Sequence, residues 1–128
     1  MKYKILLVED DEKILKALSI RLKSQGYDVV VAFDAVMATA QAMQHHPDII
    51  LLDISMPGGT GFTVAERLKD STLTTDIPVI FLTASKEPGL RERAKELGAI
   101  GFLEKPFEAQ ELLALIQQAL AGKALPTF

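Results

Sequence analysis

Short apolar runs in this sequence are followed by side chains that can take part in chemistry. Glu9 and Asp10 follow the first run, Asp53 the third, Thr83 the fourth and Lys105 the last. If the fold brings the three acids together, each pair of charges about 4 Å apart costs roughly 4 kcal/mol at an effective dielectric constant near 20. Such a cluster is tolerated when it binds a cation, shares a proton or is screened by solvent. Oxygen ligands with an open coordination sphere favour Mg²⁺.

A magnesium site would give Asp53 a specific role. A carboxylate can act as a nucleophile and form an aspartyl phosphate. Lys105 would then hold a phosphoryl oxygen as a point charge, and Thr83 would donate a hydroxyl hydrogen bond to another. The catalysis in such a site comes from positioning and electrostatics.

The elements that must position these residues are short and alternate in type. Five apolar runs lack the alternation of a half-exposed sheet, which favours parallel strands covered on both faces. Segments with helical periodicity lie between them, so the pattern predicts an α/β fold with right-handed crossovers. The runs are residues 5–8, 29–31, 49–52, 79–82 and 100–103.

The helices carry recognisable end signals. Asp34 is placed to cap the second helix, and Asp11 is expected to cap the first rather than bind a metal. Gly26, Gly98 and Gly122 are expected to close the first, fourth and fifth helices. The adjacent histidines at 45 and 46 are interpreted as the end of the second helix, where cationic side chains are favoured, rather than as a metal or phosphohistidine site.

Five such units fit a doubly wound, flavodoxin-like (βα)5 fold with a five-stranded parallel sheet in the order 2-1-3-4-5 and helices on both faces. The order is adopted from known folds of this kind. Ligands of open α/β sheets bind at the carboxyl ends of the strands. In this order Glu9, Asp10 and Asp53 converge, Thr83 lies beside them, and Lys105 lies one strand further away.

Composition limits the alternatives. The 128 residues suffice for one domain, expected over residues 1–122, with 123–128 as a tail or the start of a linker. The absence of cysteine excludes disulfides, thiolate zinc sites and cysteine nucleophiles. A net charge of −3 with no basic face argues against nucleic acid as a partner. No apolar run approaches the length of a membrane span or a signal peptide, so a cytoplasmic location is expected.

Four sequence segments resemble receiver domains of two-component response regulators. The resemblance covers essentially the whole chain, in order and at the usual spacing, and four motifs in register are far more specific than any one of them. The segments are residues 5–11 (ILLVEDD), 49–58 (IILLDISMPG) followed by Gly61 and Phe62, 81–84 (FLTA), and 98–99 with 102–107 (FLEKPF).

The resemblance implies a role for each residue of the cluster. Asp53 corresponds to the phosphoacceptor. Asp10, Asp53 and the Ser55 backbone carbonyl correspond to direct ligands of Mg²⁺, with Mn²⁺ as the alternative ion, and Glu9 to a ligand acting through water. Thr83 and Lys105 correspond to the residues that contact the phosphoryl group.

The resemblance also implies a switch. Thr83 and the aromatic Phe102 correspond to the switch pair, although Phe lacks the hydroxyl that Tyr brings to this position in many relatives. The Lys105–Pro106 bond is expected to be cis, and Ser55 and Ser85 are expected to tune dephosphorylation. The expected output face comprises the fourth helix, fifth strand and fifth helix. Expected partners are a sensor histidine kinase or phosphotransfer protein, a downstream output domain or protein, and a second phosphorylated copy.

Other functions fit these residues less well than the switch does. A phosphohydrolase of the haloacid-dehalogenase type needs a second aspartate two residues after its nucleophile, where this chain has Ser55. A flavodoxin-like cofactor binder needs a phosphate-cradling loop after the first strand, where residues 9–11 are acidic. A pseudo-receiver that only docks partners would lack the complete acceptor set. A switch with at most slow autodephosphorylation is expected, not a turnover enzyme.

Overall fold

A computed structural model describes residues 2–56 and 59–124 of the chain. Strands and helices alternate, as the apolar runs predict, and every long strand lies within one residue of its predicted bounds. The strands are β1 (Lys4–Val8), β2 (Asp28–Ala32), β3 (Ile49–Asp53), β4 (Ser55–Met56), β5 (Gly59–Thr60), β6 (Val79–Thr83) and β7 (Gly101–Glu104). The helices are α1 (Glu12–Ser24), α2 (Ala35–His45), α3 (Gly61–Lys69), α4 (Leu90–Glu96) and α5 (Ala109–Ala124).

The main sheet has five parallel strands in the order β2-β1-β3-β6-β7. Counted along the chain without the short strands β4 and β5, this is the predicted order 2-1-3-4-5. The two short strands form a separate antiparallel ladder in which Ser55 pairs with Thr60 and Met56 with Gly59. This ladder could not be predicted from the sequence, because two-residue strands have no hydrophobic period of their own.

Alternate residues of each strand pack into two cores, one on each face of the sheet. Leu6, Ile50 and Phe81 pack with α2, α3 and α4, whereas Leu7 and Leu51 pack with α1 and α5. The helices therefore cover both faces, as the continuous apolar runs require. This burial holds the strand ends, and the polar residues that follow them, in a fixed arrangement.

The helix ends mostly follow the predicted signals. Asp11 caps α1 by accepting from the backbone N–H groups of Lys13 and Ile14, and Asp34 caps α2 through Met37. The prediction that Gly122 ends the fifth helix is wrong, because α5 continues to Ala124. A glycine inside a helix lowers its stability by about 1 kcal/mol but does not stop it.

Two residues of the predicted tail are helical. Residues 123 and 124 belong to α5. Residues 125–128 of the expected tail, and Pro57 and Gly58 of the acceptor segment, lie outside the described residues.

Candidate functional site

Three carboxylates meet at the carboxyl ends of β1 and β3. Val8 pairs with Leu52 in neighbouring strands, so the residues that follow them emerge side by side. Oxygen atoms of Glu9, Asp10 and Asp53 all lie within 4.8 Å of one another. Glu9 and Asp53 are buried, whereas Asp10 is exposed to solvent. The predicted convergence of the three acids is confirmed.

Lys105 completes the charged cluster. It follows β7, and its Nζ makes a short contact with Glu9 Oε1 and lies 3.7 Å from Asp53 Oδ2. Its side chain is 15% exposed, so this cation lies mostly inside the site. The Lys105–Pro106 bond is cis, as expected.

Thr83 lies at the end of β6 and is fully buried. Its hydroxyl oxygen accepts a hydrogen bond of 3.0 Å from the Ser85 backbone N–H, and its carbonyl accepts one of 2.7 Å from the Lys105 backbone N–H. Thr83 therefore joins the loop that leads to α4 with the segment that carries the lysine. It does not cap α4, whose N-cap residue is Gly89.

Backbone groups support the two buried acids. The Ser55 N–H donates to Asp53 Oδ1 at 3.3 Å, and the Asp11 N–H donates to Glu9 Oε2 at 3.1 Å. Gly61 at the start of α3 approaches the backbone of Asp53 so closely that an added Cβ would lie 2.4 Å from its carbonyl oxygen. Sequence reasoning missed this use of Gly61, which only the closeness of α3 to β3 reveals.

The surroundings of Asp53 oppose its negative charge. Burial, followed by the charge of Glu9, raises its pKa from 3.8 to about 7, against the opposing effect of Lys105. A carboxylate whose pKa is perturbed by burial and by specific charged neighbours is typical of a functional site.

The comparisons with known proteins agree with this geometry. The family of response regulator receiver domains matches residues 5–117, which is most of the chain. The chain belongs to the response regulator receiver family.

Relatives of this receiver occur in proteins of several kinds. It is 40% identical over 117 residues, 91% of its length, to the DNA-binding dual master transcriptional regulator RpaA of Synechocystis, and spans about half (48%) of that protein. It shares 32% identity and a TM-score of 0.86 with the chemotaxis protein CheY4 of Vibrio cholerae, over 93% of this chain and 99% of that one.

A third similar receiver contains a metal ion. The receiver domain of the sensor histidine kinase PA1611 from Pseudomonas aeruginosa shares 30% identity and a TM-score of 0.86 with this chain, covering 94% of it and 99% of the other. That receiver has a magnesium ion coordinated in its active-site cleft. The acidic cluster of the present receiver also suits a cation, since it offers carboxylate oxygens within 4.8 Å of one another.

The remaining predicted residues lie outside this cluster. Ser55 is exposed and Ser85 half-buried. Phe102 is half-buried on β7 and packs against the core beneath α4. His46 is the C-cap residue of α2 with a left-handed backbone, which agrees with its interpretation as a helix end. Within the described parts of this receiver, no helix is both long and apolar enough to cross a membrane.

Proposed function

We propose that this receiver is a phosphorylation-activated switch in which Asp53 accepts a phosphoryl group from a sensor histidine kinase or a phosphotransfer protein. The observation that carries the proposal is the Asp53 carboxylate, buried between Glu9, Asp10 and Lys105. The Asp53 carboxylate is held in place by its surroundings and lies beside the Lys105 cation, and the cluster is exposed to solvent at Asp10. These are properties that an aspartate nucleophile needs.

The carboxylate oxygens fit Mg²⁺, with Mn²⁺ as the alternative ion. Asp10 and Asp53 would hold the ion together with the backbone carbonyl of Ser55, and Glu9 would act through a water molecule. All of these donors are oxygen atoms, which hard divalent cations prefer. When bound, the ion neutralises negative charge on the acids and on the incoming phosphoryl oxygens.

The residues of the chain itself bind and orient the reacting group. A carboxylate oxygen of Asp53 attacks the phosphorus of phosphohistidine, an O–P bond forms, and the N–P bond to the donor imidazole breaks. Lys105, whose Nζ already lies 3.7 Å from Asp53 Oδ2, donates to a phosphoryl oxygen. The Thr83 oxygen accepts from Ser85, which leaves its hydroxyl hydrogen to donate to the phosphoryl group.

Phosphorylation would be transmitted through Thr83 and Phe102. Thr83 moves towards the phosphoryl group and pulls with it the loop that leads to α4, to which it is hydrogen-bonded. Phe102 then moves into the space that Thr83 leaves. The face formed by α4, β7 and α5 then changes its affinity for an output domain or protein, or for a second copy of the chain. Ser55 and Ser85 flank the acceptor and set the rate of slow autodephosphorylation.

Phosphorylation by a small donor tests the proposal. The purified protein is incubated with Mg²⁺ and acetyl phosphate, and intact mass is measured. We expect a gain of about 80 Da, the mass of one phosphoryl group, in the wild type and none in Asp53→Asn. Asp34→Asn, which alters only a helix cap, should still be modified. A gain in Asp53→Asn would remove Asp53 from its role, and steady hydrolysis of an external phosphomonoester would favour a phosphohydrolase instead.

A further inference from the structure

The switch residues Thr83 and Phe102 lie close together on one face of the sheet. In the β6–β7 pair, Phe81 is opposite Phe102 and Thr83 is opposite Glu104. Residues two apart along a strand point to the same face, so Thr83 and Phe102 are diagonal neighbours. Phe102 packs on the core that α3 and α4 cover. A change in the position of Thr83 therefore alters the surroundings of this ring.

Phenylalanine has no polar atom to fix its ring, yet this ring has a specific partner. The guanidinium carbon of Arg91, in the first turn of α4, lies 4.7 Å from the centroid of the Phe102 ring. A cation above an aromatic face is attracted by the quadrupole of the ring. Arg91 therefore supplies a directional contact that the side chain of Phe102 alone cannot provide.

Two surface pockets adjoin the ring. One of about 300 Å³ is lined by Phe102 and the loop that leads to α4, and another of about 180 Å³ is lined by Phe102, Arg91 and Ala94, among others. Because these pockets leave room beside the ring, the position of Phe102 depends in part on its directional contact with Arg91.

The start of α4 is held by similar contacts rather than by a cap. Its N-cap residue Gly89 has φ 89° and makes no side-chain cap hydrogen bond. Instead, Arg91 contacts Phe102, and Lys86 in the preceding loop pairs with Glu104 at 2.9 Å. Both partners are on β7. The Lys86–Glu104 pair is exposed and contributes little alone. Arg91 adds a second link to β7, beside Leu90, which packs on the same core as Phe102.

We propose that Arg91 is a positioning residue of the switch, which holds Phe102 in its resting place and ties α4 to β7 until phosphorylation breaks the contact. This inference rests on the proposed function, because it assigns a regulator to the same site. Loss of an exposed cation–π contact shifts an equilibrium by about two- to fivefold. Removing the guanidinium should raise the active population, and hence the apparent affinity for a phosphoryl mimic, by that factor.

Beryllofluoride binding in the presence of Mg²⁺ tests the inference. Arg91→Met keeps the length and apolar stem of the side chain but removes the charge, and we expect its apparent Kd to fall about two- to fivefold below the wild-type value. Arg67→Met, at an exposed arginine of α3, is the matched control and should bind like wild type. In a Phe102→Leu background, which lacks the ring, Arg91→Met should have no further effect.

A second measurement needs no phosphoryl mimic. In the resting protein, the Arg91 side-chain proton resonances should be shifted upfield by the Phe102 ring, and Phe102→Leu should remove that shift. The role of Arg91 is overturned if wild type and Arg91→Met bind beryllofluoride equally well, or if Arg91→Met has the same effect with and without the ring. Either result leaves the proposed function standing. Failure of the wild type to bind beryllofluoride overturns the proposed function, and the switch role of Arg91 with it.

Discussion

Asp53 is a buried residue whose charged form is unfavourable in the folded protein. Its pKa is raised from 3.8 to about 7 by burial and by Glu9, against the opposing effect of Lys105. As pH rises from about 4 to about 7, the unfolded chain loses this proton while the folded protein retains it, so this group lowers stability over that interval. The penalty is absent below the unfolded pKa and complete above the folded one.

Replacing Asp53 by Asn removes this titration. In metal-free buffer, we expect the stability of Asp53→Asn relative to wild type to increase as pH rises from about 4 to about 7, by up to about 4 kcal/mol. Urea unfolding of both proteins at a series of pH values, with a chelator present, measures the difference. Parallel stability curves for the two proteins would show that the environment of Asp53 does not resist its ionisation.

The sequence predicted which residues meet at this site but not how their charges pair. Asp10, Asp53 and Thr83 were predicted because the ends of parallel strands share one edge of a sheet. The contact of Lys105 with Glu9 was not predicted. A lysine side chain has four rotatable bonds, so it can reach either of two nearby acids. Which acid it contacts depends on local distances that cannot be read from spacing along the chain.

At the scale of elements, Gly61 determines how closely α3 can approach the end of β3. Its N–H donates to the Ile54 carbonyl at 2.7 Å, and an added Cβ would lie 2.4 Å from the Asp53 carbonyl oxygen. Gly61→Ala must push α3 away from β3, and we expect a loss of about 1–3 kcal/mol of stability. Since the displaced backbone is that of Asp53, phosphorylation by acetyl phosphate should slow by roughly 10-fold or more.

The control for this prediction is another helical glycine. An added Cβ at Gly122 meets nothing within 4 Å, so Gly122→Ala should stabilise α5 by about 0.5–1 kcal/mol and leave the phosphorylation rate unchanged. Urea unfolding and the initial rate of phosphorylation measure the two effects. If Gly61→Ala were as stable and as reactive as Gly122→Ala, the close approach of α3 would not position Asp53.

The long strands could be predicted from the sequence, whereas the short β4–β5 ladder and the end of α5 could not. The long strands were placed to within one residue because continuous apolar runs end abruptly at polar residues. The β4–β5 ladder is held by Ser55–Thr60 and Met56–Gly59 pairing and has no such signal. The end of α5 was misplaced because a glycine can close a helix or lie within one, and the outcome depends on packing further along the chain.

At the scale of the whole molecule, the sheet order brings together residues that are far apart in the chain. Residues 9, 53, 83 and 105 come from four strands, and the two cores hold those strands in place. Similar receivers occur in a transcriptional regulator, a chemotaxis protein and a sensor kinase. The same fold is thus found in proteins of different kinds.

The cluster of Glu9, Asp10, Asp53 and Lys105 at the edge of the sheet should make the stability of the whole domain depend on divalent cations. Three carboxylates face a single lysine, so a bound cation relieves repulsion that exists only in the folded state. Above the dissociation constant, each tenfold rise in Mg²⁺ should add about 1.4 kcal/mol to the free energy of unfolding, as for any ligand that binds only the folded state. Asp10→Asn, at an exposed position of the cluster, should require more Mg²⁺ for the same gain. Urea unfolding at constant ionic strength separates this effect from general screening, because KCl should not reproduce it. Equal stabilisation by KCl, or an unchanged Mg²⁺ dependence in Asp10→Asn, would mean that the three acids do not form one cation site and that their repulsion is relieved by Lys105 and solvent alone.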